Sequence, residues 1–192
     1  NPTVPAKTLP EFIAYAKANP GKINYGSAGQ GTPQNITCEL FKMMTGVNLV
    51  HVPYKGGAPA VADLLAGHVQ VVFAPLSESI QQIKSGKLRA LAVTPAARLD
   101  VLPDVPTISE FVPGYEASGF AGISVPKGTP ADIIDLLNKQ LNAALADPKI
   151  KGRIVELGGT VTGGTAAEFG KIVSEATEKW AKVIKVAGIK PE

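Results

Sequence analysis

Along the first half of the chain the apolar positions switch repeatedly between two periods. Leu9, Phe12, Ile13 and Ala16 recur at three- and four-residue intervals, which predicts a helix with one apolar face. Thr8 and Glu11 form a capping box at its start, and Asn19, Pro20 and Gly21 end it. Residues 23–25 read as a short strand. A helix follows over Pro33–Thr45, with Ile36, Leu40, Phe41 and Met44 inward and Gly46 as its stop. The alternation continues with a strand at 49–52, a helix at 58–66 ended by Gly67, and an apolar strand at 69–73. Ser77 caps a helix that ends at Gly86, and 88–93 is a further strand. Strands that are apolar on both faces and alternate with helices predict an α/β fold with a parallel sheet covered on each side. Ligands of such sheets sit beyond the carboxyl ends of the strands, here at 25–32, 53–57, 74–77 and 94–95.

The pattern changes after Ala96. Residues 98–107 are a proline-punctuated connection, with a short helical piece near 108–111 and a strand at 120–125. Thr129 caps a helix running to Ala146, Asp147 and Pro148 open another to about Leu157, and Thr165 with Glu168 forms a second capping box for a helix to Ala187. Phe169, Ile172, Val173, Ala176, Trp180, Val183 and Ile184 recur at helical spacing, which predicts Trp180 in a core. Three amphipathic helices with one clear strand, and a short candidate at 160–162, need something to pack on. The chain reads as part of a larger fold.

The segment 25–34 carries the candidate chemistry. Gly26, Gly29 and Gly31 sit between a strand and a fresh helix, with Thr32 as a natural N-cap and Pro33 suited to the first helical position. Unpaired N–H groups and the helix dipole at such a turn form an anion site for a carboxylate or phosphate. A tight turn with no ligand is the alternative. No Lys follows Gly31, so this is no Walker A loop, and the spacing from Gly29 ends in Gln34 where a dinucleotide fingerprint needs Gly. Lys55, beside Gly56 and Gly57, adds either a positive charge to the site or a solvated loop cation.

Composition narrows the rest. Of 192 residues 45% are hydrophobic and 18% charged, which describes a globular chain. The net charge of +3 is scattered with no basic-aromatic cluster, against nucleic-acid binding. Cys38 is the single cysteine, read as a small, partly buried apolar residue, and no intramolecular disulfide can form. His51, mid-strand, and His68, in a turn, have no metal-pair spacing and read as structural histidines. Residues 122–126 lack the closing glycine of a nucleophile elbow. Asp63, Glu39 and Glu78 fall at exposed-face spacing on helices. No nucleophile, base and orienter assemble, so the expectation is a binding protein rather than an enzyme, with no cofactor and no metal. An enzyme acting on phosphorylated substrates has only the glycine-rich turn behind it. The chain starts at Asn1 rather than Met and reads as processed or excised, with no signal peptide in it.

Several motifs together resemble the Bug family, the periplasmic solute receptors associated with tripartite tricarboxylate transporters. They are Tyr25-Gly-Ser-Ala-Gly-Gln-Gly-Thr32, His51-Val-Pro-Tyr-Lys-Gly-Gly57, Gly86-Lys-Leu-Arg-Ala-Leu-Ala-Val-Thr94, Leu102-Pro-Asp-Val-Pro-Thr107 and Ala187-Gly-Ile-Lys190. The resemblance runs in order over essentially the whole chain. It implies a Venus flytrap of two α/β lobes closing on a small mono- or dicarboxylate, in the periplasm, for delivery to a membrane permease. A sensory module signalling to a membrane partner is the alternative. Residues 1–117 match the second lobe and 118–192 the crossover strand and helices of a first lobe whose N-terminal part is absent, so self-association through those helices is expected. Ser27, Gly29, Gly31, Thr32, Tyr54 and Ala74 are the implied ligand contacts. Many relatives carry an acidic residue at the position of Ala74, which would suit an amino group; Ala74 points to a ligand without one.

Overall fold

β1 (Ile23–Ser27) lies between β2 (Leu49–Pro53) and β3 (Val71–Val72), all parallel, in the order β2-β1-β3. The structure, a computed structural model, describes residues 1–190. Tyr25 pairs with His51 on one side and Val71 on the other. Each strand feeds a helix: α2 (Pro33–Thr45), α3 (Gly57–Ala66) and α4 (Leu76–Lys84), with α1 (Leu9–Ala18) ahead of them. The helices form where the periodicity places them because each buries one apolar stripe, Leu9, Phe12 and Ala16 on α1 and Ile36, Cys38 and Phe41 on α2. Phe41 is the hub of the core, with its ring against those of Phe12, Phe73 and Tyr115.

Gly26 sits where β1, β3 and α3 close on one another. A Cβ there would lie 3.2 Å from Val72 Cγ2, 3.3 Å from Val69 Cγ2 and 3.4 Å from Ala60 Cβ. Glycine is what lets the three elements approach this closely. A second cluster, Val61, Leu64, Val69 and Leu88, fills the space under α3 and takes in Tyr54, Val72 and Ala74 at its margin.

The chain divides into two compact units: residues 1–118 with the segment from Lys182 onward, and residues 119–181. In the first, a 3₁₀ turn at Ile108–Glu110 fixes the proline-rich connection. Thr107 N–H donates to Glu110 Oε1 (2.9 Å), and Arg98 clasps the same carboxylate through Nε (2.9 Å) and Nη2 (2.7 Å). The Arg98 guanidinium, with that backbone bond, holds the Glu110 carboxyl down to about 2. The second unit holds α5 (Ala131–Ala146), α6 (Pro148–Glu156) and most of α7 (Ala166–Ala187).

Three strand expectations fail in a common way. Only Val71–Val72 of 69–73 is ladder-paired, residues 88–93 make a single bridge between Val93 and Thr107, and 120–125 make none. A strand exists through its neighbours' hydrogen bonds, and among the described residues no partner runs the whole length of any of these segments. Trp180 is likewise half-buried rather than core, with Lys179 Nζ 5.2 Å from its ring centroid, and Ile172 and Val173 of the same stripe are exposed. The stripe has the right period, but only Val183 is buried and only Phe169 meets another described ring, that of Phe120. The candidate strand at 160–162 is also absent.

Candidate functional site

The glycine-rich loop is held rigid from below. Ser27, fully buried at the end of β1, accepts the Gly29 N–H at Oγ (3.1 Å), and Oγ also lies 3.0 Å from Gly29 O and 2.6 Å from His51 Nε2. The His51 ring stacks on Tyr25 at 4.8 Å, and burial pulls its pKa down, opposed by the nearby Glu39 charge. From the other side, Asn35 Oδ1 accepts the Gly31 N–H (2.9 Å) while Asn35 Nδ2 donates to Tyr25 Oη (2.7 Å). Tyr25 Oη donates in turn to Glu39 Oε1 (2.6 Å), which also receives Lys42 Nζ (2.7 Å). Burial and the Glu39 hydrogen bond push the Tyr25 phenol far up, so it stays a donor. Gly29 at φ +130° and Gly31 at φ +72° occupy backbone conformations that side chains disfavour.

This geometry changes the donors the sequence offers. The N–H groups of Gly29 and Gly31 are already bonded inside the loop. Thr32 Oγ1 donates to Gly29 O (2.7 Å) and does not cap α2. Among the described residues, no protein acceptor meets the N–H groups of Ala28, Gln30, Gln34 or Asn35. The next two helices, α3 after Gly56 and α4 after Pro75, also start without a side-chain cap, contrary to the expected role of Ser77. α5 also starts without a side-chain cap, and Thr129, expected to cap it, instead donates its hydroxyl to Pro126 O (2.8 Å). On three other helices the caps are made. Thr8 Oγ1 accepts from Glu11 N on α1, Asp147 from Lys149 N and Ile150 N on α6, and Thr165 Oγ1 from Glu168 N on α7. Of the uncapped helix starts, those of α2, α3 and α4 each follow a sheet strand and lie at its carboxyl end.

These three starts adjoin. Tyr54 N–H donates to Ser27 O (2.9 Å) and Gly56 N–H to Ala28 O (3.3 Å), laying the second loop along the first. Gln34 Nε2 donates to Glu78 Oε2 (2.9 Å), tying α2 to α4, and the Glu78 carboxylate lies flat against Gly57 at the start of α3. The C-terminal residues border the same loop, with Ile189 Cγ2 3.8 Å from where a Gly31 Cβ would stand. A hollow of about 320 Å³ runs off from Glu78 between α3 and α4, lined by Ala58, Val61, Ala62, Leu65 and Gln82. Another hollow, about 490 Å³, lies against the segment from Pro2 to Lys7, and Arg89 at its wall is bonded to Ala6 O.

Of the six residues singled out in the sequence, Ser27, Gly29, Gly31 and Thr32 form one braced turn. The Tyr54 hydroxyl donates to Asp63 Oδ2 (2.7 Å), and burial with that bond raises its pKa to about 12. Tyr54 and Ala74 pack on the cluster beneath α3. Glu39, Asp63 and Glu78 are half-buried and hydrogen-bonded rather than free on exposed faces. Ser27 and His51 are a pair that the sequence reading missed. Residues 25 and 27 share a strand face, and pairing Tyr25 with His51 puts the imidazole on it, so strand parity was the available signal. With Ser27 sealed at 0% exposure, the pair braces the loop and presents no hydroxyl to a substrate. Among the described residues no group of three His, Cys, Asp or Glu side chains is placed to hold a metal ion.

A parallel sheet flanked by helices, with unpaired backbone donors at its carboxyl edge, defines a protein of the periplasmic-binding-protein-like α/β class. The chain belongs to the tripartite tricarboxylate transporter family receptors, whose family model matches residues 1–189. It is 34% identical to Protein BugT of Bordetella pertussis over 99% of this chain and 59% of that protein. It is 36% identical to a protein of the tcbD-tcbE intergenic region of Pseudomonas sp. strain P51, over 93% and 54%. Among solved structures it is similar to R. palustris Rpa4515 with adipate (TM-score 0.92, 36% identity, 99% of this chain and 64% of that one). MatC from Rhodopseudomonas palustris with bound malate gives a TM-score of 0.82 at 28% identity, over 94% and 63%. The chain thus spans a little over half the length of these curated relatives.

Proposed function

We propose that these residues grip a small organic carboxylate in an extracytoplasmic receptor that serves a tripartite tricarboxylate-type transporter. The observation that carries the reading is the set of three adjoining helix starts, α2, α3 and α4, left without side-chain caps where each follows a sheet strand. Uncapped N–H groups and the positive helix ends favour an anion, and hydrogen bonds of this kind hold it without changing it. A carboxylate set against the open N–H groups of Ala28, Gln30 and Gln34 fits this arrangement, with Ser27, Gly29, Gly31 and Thr32 fixing the turn and Tyr54 and Ala74 shaping the neighbouring loops. Relatives with bound adipate and malate support the ligand class.

In this reading residues 1–117 are the second lobe of a two-lobed receptor and residues 118–192 contribute the crossover and helices of the first. The protein works in the periplasm, hands its ligand to membrane permease subunits and performs no turnover. Titration calorimetry of the 192-residue chain and of the full gene product against mono- and dicarboxylates tests it. One-to-one binding of an acid is the expected result. No heat with any acid, together with no rise in melting temperature, overturns it.

A further inference from the structure

The junction of α2, α3 and α4 contains a polar atom with no partner. Gln34 is buried, with 4% of its surface exposed, and its Oε1 is the one buried side-chain oxygen or nitrogen among the described residues that lacks a hydrogen-bond partner. Leaving a buried acceptor unmet costs about 1–3 kcal/mol, so a native orphan calls for a cause. The amide's orientation is set by chemistry. An ionised carboxylate only accepts, so the Gln34 atom facing Glu78 must be Nε2, and Oε1 is the atom left over. Glu78 therefore fixes the free group as an acceptor. Gln34 is the second residue of α2, beside the open N–H groups of the anion turn, and Glu78 lies against Gly57 at the start of α3.

Resting on the reading above, we infer that Gln34 Oε1 is a specificity determinant that accepts a hydrogen bond from a hydroxyl on the ligand. The receptor's ligand is then a hydroxy acid rather than a plain carboxylic acid. Two features favour hydroxyl chemistry over a second carboxylate at this point. Oε1 needs a donor, and the Glu78 carboxylate beside it repels a second negative group. A site built to bond a hydroxyl discriminates strongly against the analogue lacking it, because its own buried group is then left unmet.

Matched acids in titration calorimetry on the full gene product test this: malate against succinate, and lactate against propionate, with aspartate and alanine as the amino counterparts. The expected result is tighter binding of the hydroxy acid in at least one pair by about tenfold. Gln34→Leu collapses that ratio to near unity. Glu78→Ala, which leaves α2 intact, also lowers it, because the released amide can turn Nε2 toward a plain acid. Equal binding of hydroxy and plain acids by the natural sequence overturns the inference, as does a ratio that survives both substitutions. Preference for the amino acids over the hydroxy acids assigns the junction to the Glu78 charge and overturns it too. Binding of no acid at all removes the receptor reading itself, a separate and distinguishable failure.

Discussion

At the scale of single residues, the protein is most sensitive where a polar group is buried under the glycine-rich turn. His51 is the clearest case. Burial depresses its pKa in the folded state, so the native protein binds fewer protons there than the unfolded chain does. Its contribution is fully present above the unfolded value of about 6.5 and declines as pH falls through and below it. Urea unfolding of the natural sequence at pH 7.5 and 5.5 is expected to show lower stability at the lower pH. His51→Gln, whose amide still reaches Ser27, is expected to flatten that difference. An unchanged pH dependence in the variant would remove His51 as its source. None of this was visible from composition, because Ser27 and His51 are 24 residues apart and meet only through the register of β1 and β2.

At the scale of elements, helices were legible in the sequence more fully than strands, of which β1 and β2 stand where the pattern places them. A helix satisfies its backbone within its own segment, so apolar spacing and a capping residue are nearly sufficient to place it. The Pro33–Thr45 helix and the capping box of Thr165 and Glu168 follow that logic. A strand depends on distant neighbours, which is why the run 69–73 keeps only two paired residues and 88–93 keeps a bridge. Thr32 shows the limit of cap signals: it has the right residue type in the right place, yet its hydroxyl points back to Gly29 O. Side-chain caps should therefore respond unequally to loss. Asp147→Ala frees two N–H groups on α6 and is expected to cost about 1 kcal/mol, with faster hydrogen exchange at Lys149 and Ile150. Thr32→Ala should leave exchange in the first turn of α2 nearly unchanged, since no cap is removed. Strong acceleration at Gln34 and Asn35 in that variant would contradict the geometry.

At the scale of the whole molecule, the second unit presents several large apolar side chains to solvent. Phe120, Ile123, Leu136, Ile172 and Val173 are all exposed, Ile123 at 61% and Leu136 at 54%. Scattered exposed apolar residues are ordinary, but a concentration of them on one small unit promotes association. The isolated 192-residue chain is expected to self-associate in sedimentation velocity as its concentration rises. Ile123→Lys with Leu136→Glu should shift it toward monomer. A monomeric chain at all concentrations would show that these side chains are satisfied by solvent alone.

The closeness of β1, β3 and α3 at Gly26 bears on how such a receptor diversifies. The position of α3 against the sheet is set beneath its start, by a contact at Gly26 that leaves little room for a side chain. The residues at positions 30, 34, 55 and 78 stand at the mouth and take no part in that contact. If the mouth residues hold the acid as proposed, selectivity and scaffold are separable: substitutions at the mouth change the ligand while the packing at Gly26 is left untouched.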